Sequence, residues 1–152
     1  MEILTKNRIF HIYNRGNHKE KICFDIEDYN VLKKLLLYYF NYRFFDIISF
    51  CIMPNHFHLL IARTGDPKIE KAMQLIDGRY TKYINRKYGL VGHLFQGRYK
   101  KKEVISIRYF STLLRYIKNN PAEIKGLYTY FAEENETLIK HYKMKLLQDS
   151  LI

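Results

Sequence analysis

Two apolar runs, Phe45–Met53 and His56–Arg63, are separated only by Pro54-Asn55, and that spacing commits the middle of the chain to a hairpin at the centre of a sheet. In a strand, successive side chains point to opposite faces, so Phe57, Leu59 and Ile61 share one face while His56 and His58 share the other. One face is core; the other carries two imidazoles beside a turn. Positions two apart on a strand lie about 6.5–7 Å from each other, close enough for both rings to converge on one metal ion. Taken alone, the pair is explained slightly better as two ordinary strand histidines.

Upstream, Ile9-Phe10-His11-Ile12-Tyr13 reads as a strand ended by the turn Asn14-Arg15-Gly16-Asn17. The strand pattern does not fix which face His11 takes, so an ordinary strand histidine is the favoured reading. The Arg15-Gly16 step can bring a guanidinium and bare backbone N–H groups to a phosphate. Asp25 caps a helix running to about Tyr42, with Tyr29, Leu32, Leu36 and Tyr39 at helical spacing. A second helix is predicted from Asp66 as cap and Pro67 as first residue, with Ile69, Ala72, Met73, Ile76, Tyr80, Tyr83 and Ile84 inward and Gly89 at its end. Gly78 interrupts it, and Lys71, Arg79, Lys82 and Arg86 form an outer face that is either solvated or in contact with DNA.

A strand follows from about Arg98 to Ile105, then a helix over Ile107–Asn119 capped by Ser106. Beyond Pro121 a further helix is expected around Thr137–Leu147. This order of elements predicts an α+β fold of ferredoxin-like, split βαβ type: a four-stranded antiparallel sheet with packed helices. The chain is expected to be one domain over 1–152, with its core at about 9–121 and an extension at about 122–152.

Lys plus Arg exceed Asp plus Glu, 26 against 15, a net charge of +11 that attracts polyanions and makes nucleic acid the leading partner. No apolar run approaches the roughly 20 residues that span a bilayer, and no secretory signal pattern is evident, so a cytoplasmic protein without a membrane partner is expected. Cys23 and Cys51 have no partners at metal-motif spacing and read as reduced core residues. Basic residues interleaved with tyrosine at Arg98-Tyr99-Lys100-Lys101-Lys102 suit base stacking beside phosphate contacts.

On the helix starting at Ile107, the buried stripe is Ile107, Phe110, Leu114 and Ile117, and Tyr116 falls beside it, between the stripe and the basic positions Arg108 and Arg115. Asn120 lies four residues on, so Tyr116 and Asn120 can address one target, although Pro121 disfavours helix at Asn120. A phenol nucleophile and an amide oxygen as third metal ligand, joined to the two imidazoles, suit phosphodiester cleavage. The metal polarises the phosphate, and attack by tyrosine conserves the bond energy in a phosphotyrosine linkage. Ligand chemistry by itself leans towards Mn²⁺ or Zn²⁺, since imidazole is a poor Mg²⁺ partner.

His56-Phe57-His58 resembles the His-hydrophobic-His motif of the HUH nucleases, and Arg115-Tyr116-Ile117-Lys118-Asn119-Asn120-Pro121 resembles the tyrosine helix of single-tyrosine transposases. Tyr13-Asn14-Arg15-Gly16-Asn17, Met53-Pro54-Asn55-His56 and Phe95-Gln96-Gly97-Arg98-Tyr99-Lys100 fit the same pattern, closest to the REP-associated tyrosine transposases, relatives of the insertion-sequence transposases. The resemblance spans about Ile9 to Pro121. It implies metal ligation by His56 and His58, with Asn120 standing where insertion-sequence relatives often carry Gln, and nucleophilic attack by Tyr116. It further implies Mg²⁺ or Mn²⁺, single-stranded DNA next to a hairpin or palindrome, a 5′-phosphotyrosine intermediate, and a monomer or homodimer. Arg15, Arg98, Lys100, Lys101, Lys102, Arg108 and Arg115 are the expected DNA contacts. Two alternatives differ in outcome: a hairpin-binding module that cuts nothing, and a zinc hydrolase that forms no covalent adduct.

Overall fold

The computed structural model describes residues 8–65, 67–119 and 131–150. Its strands are β1 (Arg8–Arg15), β2 (Phe45–Ile52), β3 (His56–Arg63), β4 (Lys100–Val104) and β5 (Phe131–Glu134). Its helices are α1 (Ile26–Tyr39), α2 (Ile69–Tyr88), α3 (Ile107–Asn119) and α4 (Glu136–Ser150). The strands form one antiparallel sheet in the order β4-β1-β3-β2-β5, with the histidine strand in the middle.

Alternation along the strands divides the core in two. On one face Phe10, Ile12, Phe57, Leu59 and Ile61 pack with Leu32 and Leu36 of α1 and Met73, Ile76 and Tyr80 of α2. On the other, Ile9, Leu60, Ala62 and Val104 pack with Phe110, Leu114 and Ile117 of α3 and Tyr142 and Leu146 of α4. Burial of both faces explains why β3 is almost uninterruptedly apolar after His58. Cys23 and Cys51 are free and buried.

Several boundaries depart from the sequence expectation for identifiable reasons. α1 stops at Tyr39, not Tyr42, because Phe40 leaves helical geometry and buries its ring edge-on against Phe45, centroids 5.0 Å apart. α2 begins at Ile69, after Pro67, with Lys68 at the cap position and no side-chain cap bond; Asp66 lies outside the described residues. Its other end is as expected, Gly89 adopting φ +65° with its N–H on the Asn85 carbonyl. The Ser106 hydroxyl accepts from Tyr109 N–H at 3.1 Å and opens α3.

The sheet has a fifth strand that the four-strand expectation lacked. Residues Phe131–Glu134 are too short a run to announce themselves, and their pairing with β2 is what makes them a strand. Asn135 then caps α4, its side-chain oxygen accepting from Leu138 N–H at 3.0 Å, and the Tyr142 hydroxyl donates to Asp46 at 2.6 Å.

Candidate active site

Antiparallel register puts directly opposed residues on one face of a sheet. Tyr13 opposes His58, Arg15 opposes His56, and on the other side of β1, Tyr13 opposes Lys100 and His11 opposes Lys102. Three strands therefore present Tyr13, Arg15, His56, His58 and Lys100 at the same end of the same face. Helix α3 crosses that face with Phe110, Leu114 and Ile117 buried beneath it, which carries its C-terminal turn over the histidines. There Tyr116, 53% exposed, stands edge-on to His58 with ring centroids 5.1 Å apart. These side chains, with Lys19, Asn55, Gln96 and Arg98, line a cleft of about 510 Å³.

The loops around the cleft are tied to one another through backbone groups. Gly16 N–H donates to the Asn55 carbonyl at 2.8 Å, Gln96 N–H to the Arg15 carbonyl at 2.9 Å, and the Asn14 amide to the Gly97 carbonyl at 3.2 Å. The Arg15 Nε–H donates to the Gln96 side-chain oxygen. At Gly16 a Cβ would lie 2.0 Å from the Glu20 carbonyl oxygen, so only glycine lets the short helical turn Asn17–Lys19 fold back. Three sequence words far apart in the chain, at 13–17, 53–56 and 95–97, thus form one continuous rim.

Hydrogen bonding sets the state of His56. The Asn55 Nδ2 donates to the Lys19 carbonyl at 3.3 Å, which turns Asn55 Oδ1 towards His56 Nδ1 at 2.7 Å. An amide oxygen only accepts, so His56 donates from Nδ1, and a neutral ring then has its lone pair on Nε2. His58 is 7% exposed, and its Nδ1 lies 3.0 Å from His11 Nε2. Its Nε2 is buried with no hydrogen-bond partner among the described residues. Burial first, then the proximity of His11 and His56, pushes the His58 pKa down to about 3, so the ring is neutral at physiological pH. A neutral imidazole with a buried, unpartnered nitrogen at the wall of a polar cleft fits a divalent cation. Among the described residues no three His, Cys, Asp or Glu side chains are arranged so that they could hold a metal ion together, and Asn120, the third ligand expected from sequence, lies outside them.

The expected DNA contacts separate into groups. Arg15, Arg98 and Lys100 line the cleft. Lys102 is exposed on the same sheet face, whereas Lys101 points to the opposite face and pairs with Glu70 at 2.6 Å. Arg108 is exposed near the start of α3, about 12 Å along the helix from Tyr116. Arg115 lines a separate depression with Lys118, Glu134, Glu136 and Lys143. Sequence reasoning missed His11, Tyr13, Asn55 and Gln96 as parts of the site. For His11 and Tyr13 the alternation was visible, and the register that decides their face was not.

The profile described as Transposase IS200 like matches residues 5–120. Among solved structures, the chain is similar to a REP-associated tyrosine transposase bound to a REP hairpin, at TM-score 0.62 and 18% identity over 78% of this chain and 68% of that one. It is also similar to a candidate transposase from Deinococcus radiodurans R1, at TM-score 0.51 and 15% identity over 73% of this chain and 88% of that one. At such identities the likeness is one of fold. No curated protein matches. With the family profile covering well over half of its length, the chain belongs to the IS200-like transposases, a family of DNA-processing enzymes.

Proposed function

We propose that this protein is a metal-dependent single-stranded DNA endonuclease and strand transferase that cleaves next to hairpins through a 5′-phosphotyrosine intermediate. The observation that carries the reading is the convergence of Tyr116 with His56 and His58 in one basic cleft. The solved relative bound to a REP hairpin supports the hairpin as substrate.

In this reading His56 and His58, with Asn120, would hold Mg²⁺ or Mn²⁺, and the bound ion would polarise the scissile phosphate and offset its charge. Arg15, Arg98 and Lys100 draw in the DNA strand and fix it through its phosphates. The Tyr116 oxygen attacks phosphorus as the bond to the 3′-oxygen breaks. The phenol proton leaves to solvent, and the departing 3′-oxygen takes up a proton and becomes a 3′-hydroxyl. Protein and 5′-phosphate are then joined, and attack by another 3′-hydroxyl reverses the step and seals a strand. The catalytic core is about 9–121 within a single domain.

The test is a denaturing gel with labelled hairpin oligonucleotides, Mg²⁺ or Mn²⁺, and a Tyr116→Phe control. A metal-dependent adduct absent from the control is the expected result. Cutting without an adduct would indicate a hydrolase, and binding without cutting a hairpin-binding protein.

A further inference from the structure

His11 is 6% exposed, on the same sheet face as His58 and diagonal to it across the β1–β3 pair. It does not line the cleft. Its ring lies against those of both Tyr13 and His58, with centroid distances of 4.7 and 5.2 Å, and the three form a triangle closed by the 5.9 Å between Tyr13 and His58. Its Nε2 lies 3.0 Å from His58 Nδ1, leaving the two outer nitrogens of the pair, His58 Nε2 on the cleft side and His11 Nδ1 at the other end, buried with no partner among the described residues. Two neutral imidazoles in contact share one proton between them, and which ring supplies it decides what the outer nitrogen of His58 can do. If His58 donates, its Nε2 presents a lone pair; if His11 donates, His58 Nε2 carries a hydrogen and cannot ligate.

The neighbouring histidine shows the same arrangement with the ambiguity removed. Asn55 accepts from His56 Nδ1, because its own amide nitrogen is committed to the Lys19 carbonyl. We infer that His11 is a positioning residue that does for His58 what Asn55 does for His56: it accepts a hydrogen bond from Nδ1, locks the ring, and keeps the lone pair on Nε2. Ligating histidines are commonly oriented by such an acceptor on the second nitrogen, whose loss typically weakens metal affinity about 10–100-fold. The inference rests on the proposed role of His58 as a ligand, but its structural half does not require metal at all.

Two measurements separate these halves. Long-range ¹H–¹⁵N correlation spectra of the metal-free full chain, labelled at histidine, are expected to show His58 with its proton on Nδ1. His11→Phe, which keeps an aromatic ring but removes the acceptor, should abolish that fixed tautomer, and His11→Gln, which returns an acceptor, should restore it in part. By calorimetry, His11→Phe should bind Mn²⁺ about 10–100-fold more weakly with its amide spectrum otherwise folded. A proton on His58 Nε2 in the unmodified protein, or Mn²⁺ affinity unaltered in His11→Phe while His58→Ala loses it, would overturn the inference. If His58→Ala leaves Mn²⁺ binding intact but the Nδ1 tautomer is present and depends on His11, the metal reading fails and the positioning of His58 by His11 stands.

Discussion

Tyr116 meets His58 edge to face at 5.1 Å, one ring carried by the last turns of α3 and the other by the first residues of β3. Neither element fixes this distance alone. It follows from Phe110, Leu114 and Ile117 being buried against the sheet, which leaves Tyr116 one position off the stripe and over the strand end. Tyr116→Phe should therefore retain fold and hairpin affinity while losing all covalent adduct. Ile117→Ala, by contrast, removes a fully packed side chain and should cost about 2–5 kcal/mol of stability, read as a lowered denaturation midpoint.

Gly16 sits where β1 leaves the sheet, hydrogen-bonded to Asn55, which in turn holds His56. In Gly16→Ala the new methyl meets the Glu20 carbonyl, so the Asn17–Lys19 turn must move. The expected outcome is a drop in cleavage of tenfold or more with a smaller loss of global stability, of order 1–2 kcal/mol, compared by nicking assays and urea melts. Wild-type nicking in the variant would disconnect the turn from the site.

Gly78 lies in the middle of α2 and is exposed, and a Cβ there would meet nothing within 4 Å. Gly78→Ala should stabilise the protein by about 0.5–1 kcal/mol, because alanine lowers the entropy of the unfolded chain and clashes with nothing. Thermal melts at matched pH check this. A loss of DNA affinity in the stabilised variant would reveal a contact at this helix face.

Asp77 neighbours Gly78 in α2 and has a buried carboxylate oxygen with no hydrogen-bond partner among the described residues. Burial pushes its pKa up to about 7 from an ordinary 3.8. The folded state thus holds a proton that the unfolded chain has lost between about pH 4 and pH 7. The contribution to stability falls as pH rises through that window and is least favourable above it. Asp77→Asn should flatten this dependence and raise stability at pH 8 by about 2 kcal/mol, measured by denaturant midpoints from pH 4 to pH 8. Parallel pH curves for the two proteins would count against the shift.

Lys100 and Lys101 are adjacent in sequence and opposite in placement. The first faces the cleft beside Tyr13, and the second is paired with Glu70 across the sheet. Lys100→Gln should reduce the slope of log affinity against log salt by about 0.7 for single-stranded DNA, and Lys101→Gln should leave it nearly unchanged. Equal effects would mean that the strand acts as one undifferentiated basic edge.

The sequence by itself determined the hairpin, the strand and helix types, the face on which His56 and His58 lie together, and the amphipathic stripe that leaves Tyr116 beside the core. Each rests on a local period, two for strands and 3.6 for helices, or on a cap such as Asp25, Ser106 or Gly89. Tertiary structure alone decided what depends on register and crossing. Pairing of β1 with β3 set His11 against His58 and turned Tyr13 and Arg15 towards the cleft. Pairing of β1 with β4 separated Lys100 from Lys101, and pairing with β2 made a strand of Phe131–Glu134. A one-residue slip in any of these ladders would send every side chain of the slipped strand to the other face. Register is fixed by the packing of both faces and by bonds such as Gly16 to Asn55, which join residues that no local pattern connects.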